Sequence, residues 1–101
     1  MELKQAFGQA FKELRISKGL SQEAVGASQS YISDLERGIK SPTIEKLVEL
    51  AANMGVHPLT ILARSYLIAG EPNSTGELIG QLQKSLDELE GHLAQLELDR
   101  N

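Results

Sequence analysis

Apolar residues fall in stripes of helical period along most of the chain. Between Glu2 and Ser17 they stand at Leu3, Phe7, Ala10, Phe11 and Leu14, which puts them on one face of an amphipathic helix. Gly19 supplies its stop. Ser21 offers an N-cap to a second, very short helix that Gly26 ends. Ser28 caps a third helix through Arg37, closed by Gly38, with Ile32 and Leu35 facing inward and Tyr31 beside them. Ser41 or Thr43 caps a fourth, with Pro42 early in it, where a missing N–H does no harm. The stripe of the fourth helix is Ile44, Leu47, Val48, Ala51 and Met54, and Gly55 ends it. A fifth helix from Pro58 to near Gly70 is apolar on nearly every side, at Leu59, Ile61, Leu62, Ala63, Tyr66, Leu67 and Ile68. A domain this small cannot bury all of that alone, so part of the fifth helix is expected to meet another surface. No segment alternates with period two, and the fold class expected is all-α.

The stretch "GEPNSTG" reads as a linker, giving a first domain over residues 1–70, a linker over 71–76 and a C-terminal helix over 77–101. Ser74 and Glu77 have capping-box spacing. Beyond them Ile79, Leu82, Leu86, Leu89, Leu93 and Leu96 recur at alternating intervals of three and four, the a and d positions of an unbroken heptad. Gly80 and Gly91 fall at b and f, off that seam, and each costs about 1 kcal/mol of helix propensity. A hairpin turning at Gly91 is the competing arrangement; the register running across Gly91 favours one continuous helix. Such a helix alone is marginal in water, so it calls for a partner, and a second subunit is the nearest one; the alternative is that its leucine face folds back onto the apolar fifth helix. In a parallel pair His92 at g would face Glu97 at e of the other chain.

Composition changes this picture in two places. The 101 residues include no cysteine and no tryptophan, and aromatics make up 4%, so the core is mostly aliphatic and disulfides and thiolate metal sites are excluded. No apolar run reaches the roughly 20 residues of a membrane span, and "MELKQAFGQAFKELR" has neither the apolar centre nor the cleavage site of a signal peptide. A cytoplasmic protein without membrane contact is expected. The net charge of −4 argues against a nucleic-acid partner until its distribution is read. Residues 1–70 carry eight basic against seven acidic side chains, or +1, whereas residues 71–101 carry two against seven, or −5. The acidity belongs to the tail, and sign asymmetry of this kind points to separate jobs.

Reactive chemistry is sparse. His57 precedes Pro58 at a helix start, where it caps, and His92 stands alone in the tail; neither has a second ligand at metal spacing. No nucleophile–base set or phosphate loop is present. No metal, no cofactor and no enzymatic activity are expected.

The informative stretch is "SQEAVGASQSYISDLERG", residues 21–38, in which two Ser-Gln pairs each open a helix. Together "GLSQE", "YISDLERG" and "SPTIEKLVELA" resemble the lambda-repressor-like (Cro/repressor, Xre-type) helix-turn-helix family, over roughly residues 3–68. The resemblance implies a five-helix DNA-binding domain, and the amphipathic tail helix that follows lies outside it. It implies a sequence-specific transcriptional regulator, most readily a repressor, that binds double-stranded DNA at a pseudo-palindrome as a homodimer. In the family the third helix lies in the major groove. Carried onto this chain, Gln29 and Ser30 lead, Ser33 and Asp34 follow one turn on, and Tyr31 reaches a thymine methyl or a phosphate. Gln can pair with adenine N6/N7 and Asp can accept from cytosine N4. Gln22, at the first turn of the second helix, would donate to a phosphate, while Arg37, Lys40 and Thr43 flank the groove on the other side. Arg15 and Glu36 would form a structural ion pair tying the first helix to the third.

One departure stands out. From Gln22 to Gln29 is seven residues, about four fewer than the family pattern, or close to one helical turn. The second helix is therefore expected as a stub of one to two turns. A second reading uses the same domain, the apolar fifth helix and the leucine-rich tail to bind a regulatory partner protein, as an antitoxin or anti-repressor would.

Overall fold

A computed structural model describes residues 1–100; Asn101, the last residue of the expected tail helix, lies outside them. Among the described residues the structure is all-helical: α1 (Leu3–Ser17), a 3₁₀ turn (Glu23–Val25), α2 (Gln29–Glu36), α3 (Ile44–Met54), α4 (Pro58–Ala69) and α5 (Thr75–Arg100). The chain divides into two compact units at Glu71–Pro72.

In the first unit the stripes converge. Phe7 and Phe11 of α1, Val25 of the 3₁₀ turn, Ile32 and Leu35 of α2, Leu47, Leu50, Ala51 and Met54 of α3, and Ile61 of α4 form one buried cluster. The rings of Phe7 and Phe11 lie 6.2 Å apart and tilted by 33°. Local signals set the boundaries. The Ser28 hydroxyl accepts from the Tyr31 amide at the start of α2, and the Thr43 hydroxyl accepts from the Lys46 amide at the start of α3. His57 Nδ1 accepts from the Leu59 amide ahead of Pro58, so this histidine caps α4. Gly55 and Gly70 end α3 and α4 with φ of 71° and 99°, a region only glycine enters at little cost.

Three expectations need correction. Pro42 lies before the Thr43 cap rather than inside α3, and Ser41 is not the cap. The buried face of α3 is rotated from the expected stripe: Ile44 is 77% and Val48 49% exposed, while Leu50 is fully buried. Residues 47, 50, 51 and 54 keep the i, i+3, i+4, i+7 relation that Leu47, Leu50, Ala51 and Met54 need to face one core. The second helix, expected as a stub of α-helix, is a single 3₁₀ turn of three residues, so α2 is the third helix of the expected order. Two serine caps stand too close together for more, and Gly26 at φ 90° breaks the run between them. Val25 still reaches the core, and Asn53 Nδ2 donates to its carbonyl at 2.7 Å, clasping the turn to α3.

Gly8 fixes the approach of α1 to α2. A Cβ there would lie 2.4 Å from the Leu35 carbonyl oxygen and 2.7 Å from that of Glu36. Any side chain at residue 8 would force the two helices apart.

The second unit is α5. The Ser74 hydroxyl accepts from the Glu77 amide at its start, and the helix passes through Gly80 and Gly91 without a break. Only Leu78 among its apolar side chains is buried.

Candidate nucleic-acid interface

The site grows from the end of α2 backwards. The Glu36 side chain is 4% exposed, and its carboxylate is shared by three elements. Arg15 of α1 donates to it twice, from Nε at 2.6 Å and Nη2 at 2.9 Å, a two-pronged charge-assisted pair. The third prong, Arg15 Nη1, donates to the Leu20 carbonyl at 2.8 Å and so fixes the turn that follows α1. Hydrogen bonding to Glu36 raises the Arg15 pKa above its ordinary value, against the opposing effect of burial. Gln22 Nε2 donates to the same carboxylate at 3.1 Å, and Gln22 Oε1 accepts from Gln29 Nε2 at 3.5 Å. A line of contacts therefore runs from Arg15 through Glu36 and Gln22 to Gln29.

The residues singled out from the sequence gather around α2. Gln29 and Ser30 are exposed at its first turn; Tyr31, Ser33 and Asp34 are half-buried. Arg37, Lys40 and Thr43 are exposed on the segment that follows. The Thr43 hydroxyl accepts the α3 cap bond and keeps its own proton to donate elsewhere. Gln22 is half-buried, with its amide turned to Glu36 and Gln29.

The charge of Asp34 is offset by a neighbouring cation. Lys40 Nζ lies 3.3 Å from its Oδ2. The ammonium groups of Lys40 and Lys46 lie 5.8 and 5.7 Å from the Tyr31 ring centre, within cation–π range. Lys46, Gly8 and Asn53 did not come out of the sequence as site residues. A glycine inside an otherwise regular helix is a readable sign of close approach; nothing in the sequence marks Asn53 or Lys46.

Comparison with known proteins decides the family: residues 11–61 match the helix-turn-helix model HTH_3, just over half of the chain. The chain is a member of the HTH_3 helix-turn-helix family. This helix-turn-helix protein is 47% identical over 60 residues to the uncharacterized HTH-type transcriptional regulator y4dJ of Sinorhizobium fredii, across 55% of the chain and 78% of that relative. The restriction-modification controller protein C.AhdI of Aeromonas hydrophila is similar in structure, with a TM-score of 0.54 at 34% identity over 56% of this chain and 92% of its own. The clp gene regulator ClgR of Corynebacterium glutamicum superposes with a TM-score of 0.60 at 27% identity, over 88% of this chain and 90% of its own. No described helix of the HTH_3 protein is long and apolar enough to cross a membrane.

Proposed function

We propose that this helix-turn-helix protein is a sequence-specific DNA-binding transcriptional regulator, acting as a repressor, that reads a pseudo-palindromic operator as a homodimer with α2 in the major groove. The observation that carries this reading is the exposed polar start of α2, Gln29 and Ser30, backed by the Arg15–Glu36–Gln22 line. A reading helix discriminates bases only if its side chains are held in place before contact. The regulators to which the chain is similar support the same reading.

Each part has a chemical role. Gln29 pairs with adenine N6/N7 and Asp34 accepts from a cytosine amino group, its charge offset by Lys40. Ser30 and Ser33 donate or accept at neighbouring edges, and Tyr31 packs against a thymine methyl or a phosphate. Arg37, Lys40 and Thr43 hold the backbone and set register. Residues 1–70 read DNA, residues 71–76 tether, and residues 77–101 join subunits. Two reading helices about 34–36 Å apart then fit successive turns of one groove.

Selecting bound duplexes from a random pool tests this directly. An inverted repeat is expected, with affinity falling as salt rises by a slope near −0.9 per phosphate neutralised. Binding to DNA that is absent, or indifferent to salt, would instead favour a module that binds a partner protein.

A further inference from the structure

The α5 face is unusual in what it leaves open. Ile79, Leu82, Leu86, Leu89, Leu93 and Leu96 are each 47–58% exposed, although they form an unbroken a/d series. A helix this exposed does not hold itself together by its own contacts in water. We propose that the leucine face of α5 is covered by the same face of a second copy, in a parallel two-stranded coil with each layer matched to itself. This deepens the homodimer reading above and rests on it: both DNA-reading units then hang from the same end of the coil.

Three observations favour that occupant. The seam is self-complementary, because six layers of leucine or isoleucine meet only their own kind, as a twofold interface requires. The flanks avoid like-charge repulsion. In a parallel pair the g position of one strand faces the e position of the next heptad on the other. Glu90 then faces Ser85 and Glu97 faces His92, so no acid is set against an acid despite the tail's excess of negative charge. The outer positions are polar or small for most of the length, at Gly80, Gln81, Lys84, Asp87, Glu88, Gly91, Ala94 and Gln95, which suits a two-stranded coil rather than a larger bundle.

The test uses the full chain without DNA, so its failure is separate from failure of the DNA reading. Sedimentation equilibrium at micromolar concentration is expected to give twice the chain mass. Leu86→Glu/Leu89→Glu, which keeps strong helix formers in α5, is expected to give a monomer with the first unit melting unchanged; Gln81→Glu, on the outer face, stays dimeric. Because the chain has no cysteine, single cysteines report orientation. Leu82→Cys is expected to link to itself on oxidation, since matched d positions lie within disulfide reach. A native chain that sediments as a monomer, or a doubly substituted chain that stays a dimer, overturns the coil. Cross-linking only when Leu82→Cys is mixed with Leu93→Cys overturns the parallel arrangement. A dimer that selects no inverted repeat leaves the coil standing and overturns the operator reading alone.

Discussion

The two units of this chain use the same alphabet of leucine, isoleucine and alanine and reach opposite results. In the first, four short helices and one 3₁₀ turn contribute between one and four residues each, and these ten meet in a closed cluster. In the second, one long helix carries a more regular stripe than any of the others, and only Leu78 is buried. Periodicity makes a helix amphipathic; convergence of several stripes makes a core. What α5 lacks is a second stripe to face. The units also differ in polar design. The first closes its polar groups inward on Glu36, whereas α5 pairs side chains locally, Gln83 with Asp87 and Gln95 with Asp99, each four residues apart.

The largest break in this contrast comes from Glu36→Ala. It strands the Arg15 guanidinium beside the core, and the first unit is expected to lose about 3–5 kcal/mol in urea denaturation. Arg15→Ala costs less than an additive share in the double substitution, because the two act as one. A coupling energy of zero would remove the pair from the account. In the proposed coil, the circular dichroism of α5 is expected to persist after the first unit has melted.

Gly8→Ala tests convergence by geometry rather than charge. The added methyl meets backbone oxygens that cannot turn aside, and a loss of about 1–3 kcal/mol is expected. Equal stability would mean that α1 slides freely over α2.

Gln29→Ala sharpens the contrast at the surface. It is expected to lose about 1–3 kcal/mol of discrimination at one base pair and leave binding to unrelated DNA nearly unchanged. Lys40→Ala does the reverse, weakening all sequences alike and reducing the salt slope by about one. A uniform loss for Gln29→Ala would reassign that side chain to the backbone.

The smallest effect concerns Glu13, which accepts two bonds from Arg64 of α4. Those bonds lower its pKa from 4.5. A depressed acid stabilises the fold above its unfolded pKa, and that contribution is lost as pH falls through the folded value. The pair is solvent-exposed, so only about 0.2–1 kcal/mol is at stake. Arg64→Ala is expected to flatten the fall in stability below about pH 4.5, measured by melting at several pH values.

Much of this was legible in the residues alone. Ser28, Thr43 and Ser74, the His57–Pro58 start and the stop glycines marked α2, α3, α4 and the start of α5 to within a residue or two, because each of those signals acts locally. The misreadings have different causes. On α3 both Ile44–Val48 and Leu47–Leu50 give acceptable stripes, and only the neighbouring helices decide which one turns inward. The second helix shrank to one turn between two close serine caps and Gly26, and Asn53 of α3 clasps that turn at the Val25 carbonyl. At the candidate interface, the positions around α2 followed from the motif. The Arg15–Glu36 pair followed from it as well; the donation from Gln22 to the same carboxylate did not, because it depends on a third element meeting that pair.

The 3₁₀ turn has a dynamic consequence. Its backbone bonds, Ala24 to Ser21, Val25 to Gln22 and Gly26 to Glu23, are 3.2–3.5 Å long, and no α-helical ladder backs them. Segments held by so few bonds open first in native-state hydrogen exchange. Gln22 lies in that segment and touches Gln29, so each brief opening of residues 22–26 would release the side chain that backs the start of α2. The Asn53 clasp on Val25 then sets the clock: Asn53→Ala would quicken amide exchange at Ala24 and Val25 well before it altered the melting of the domain.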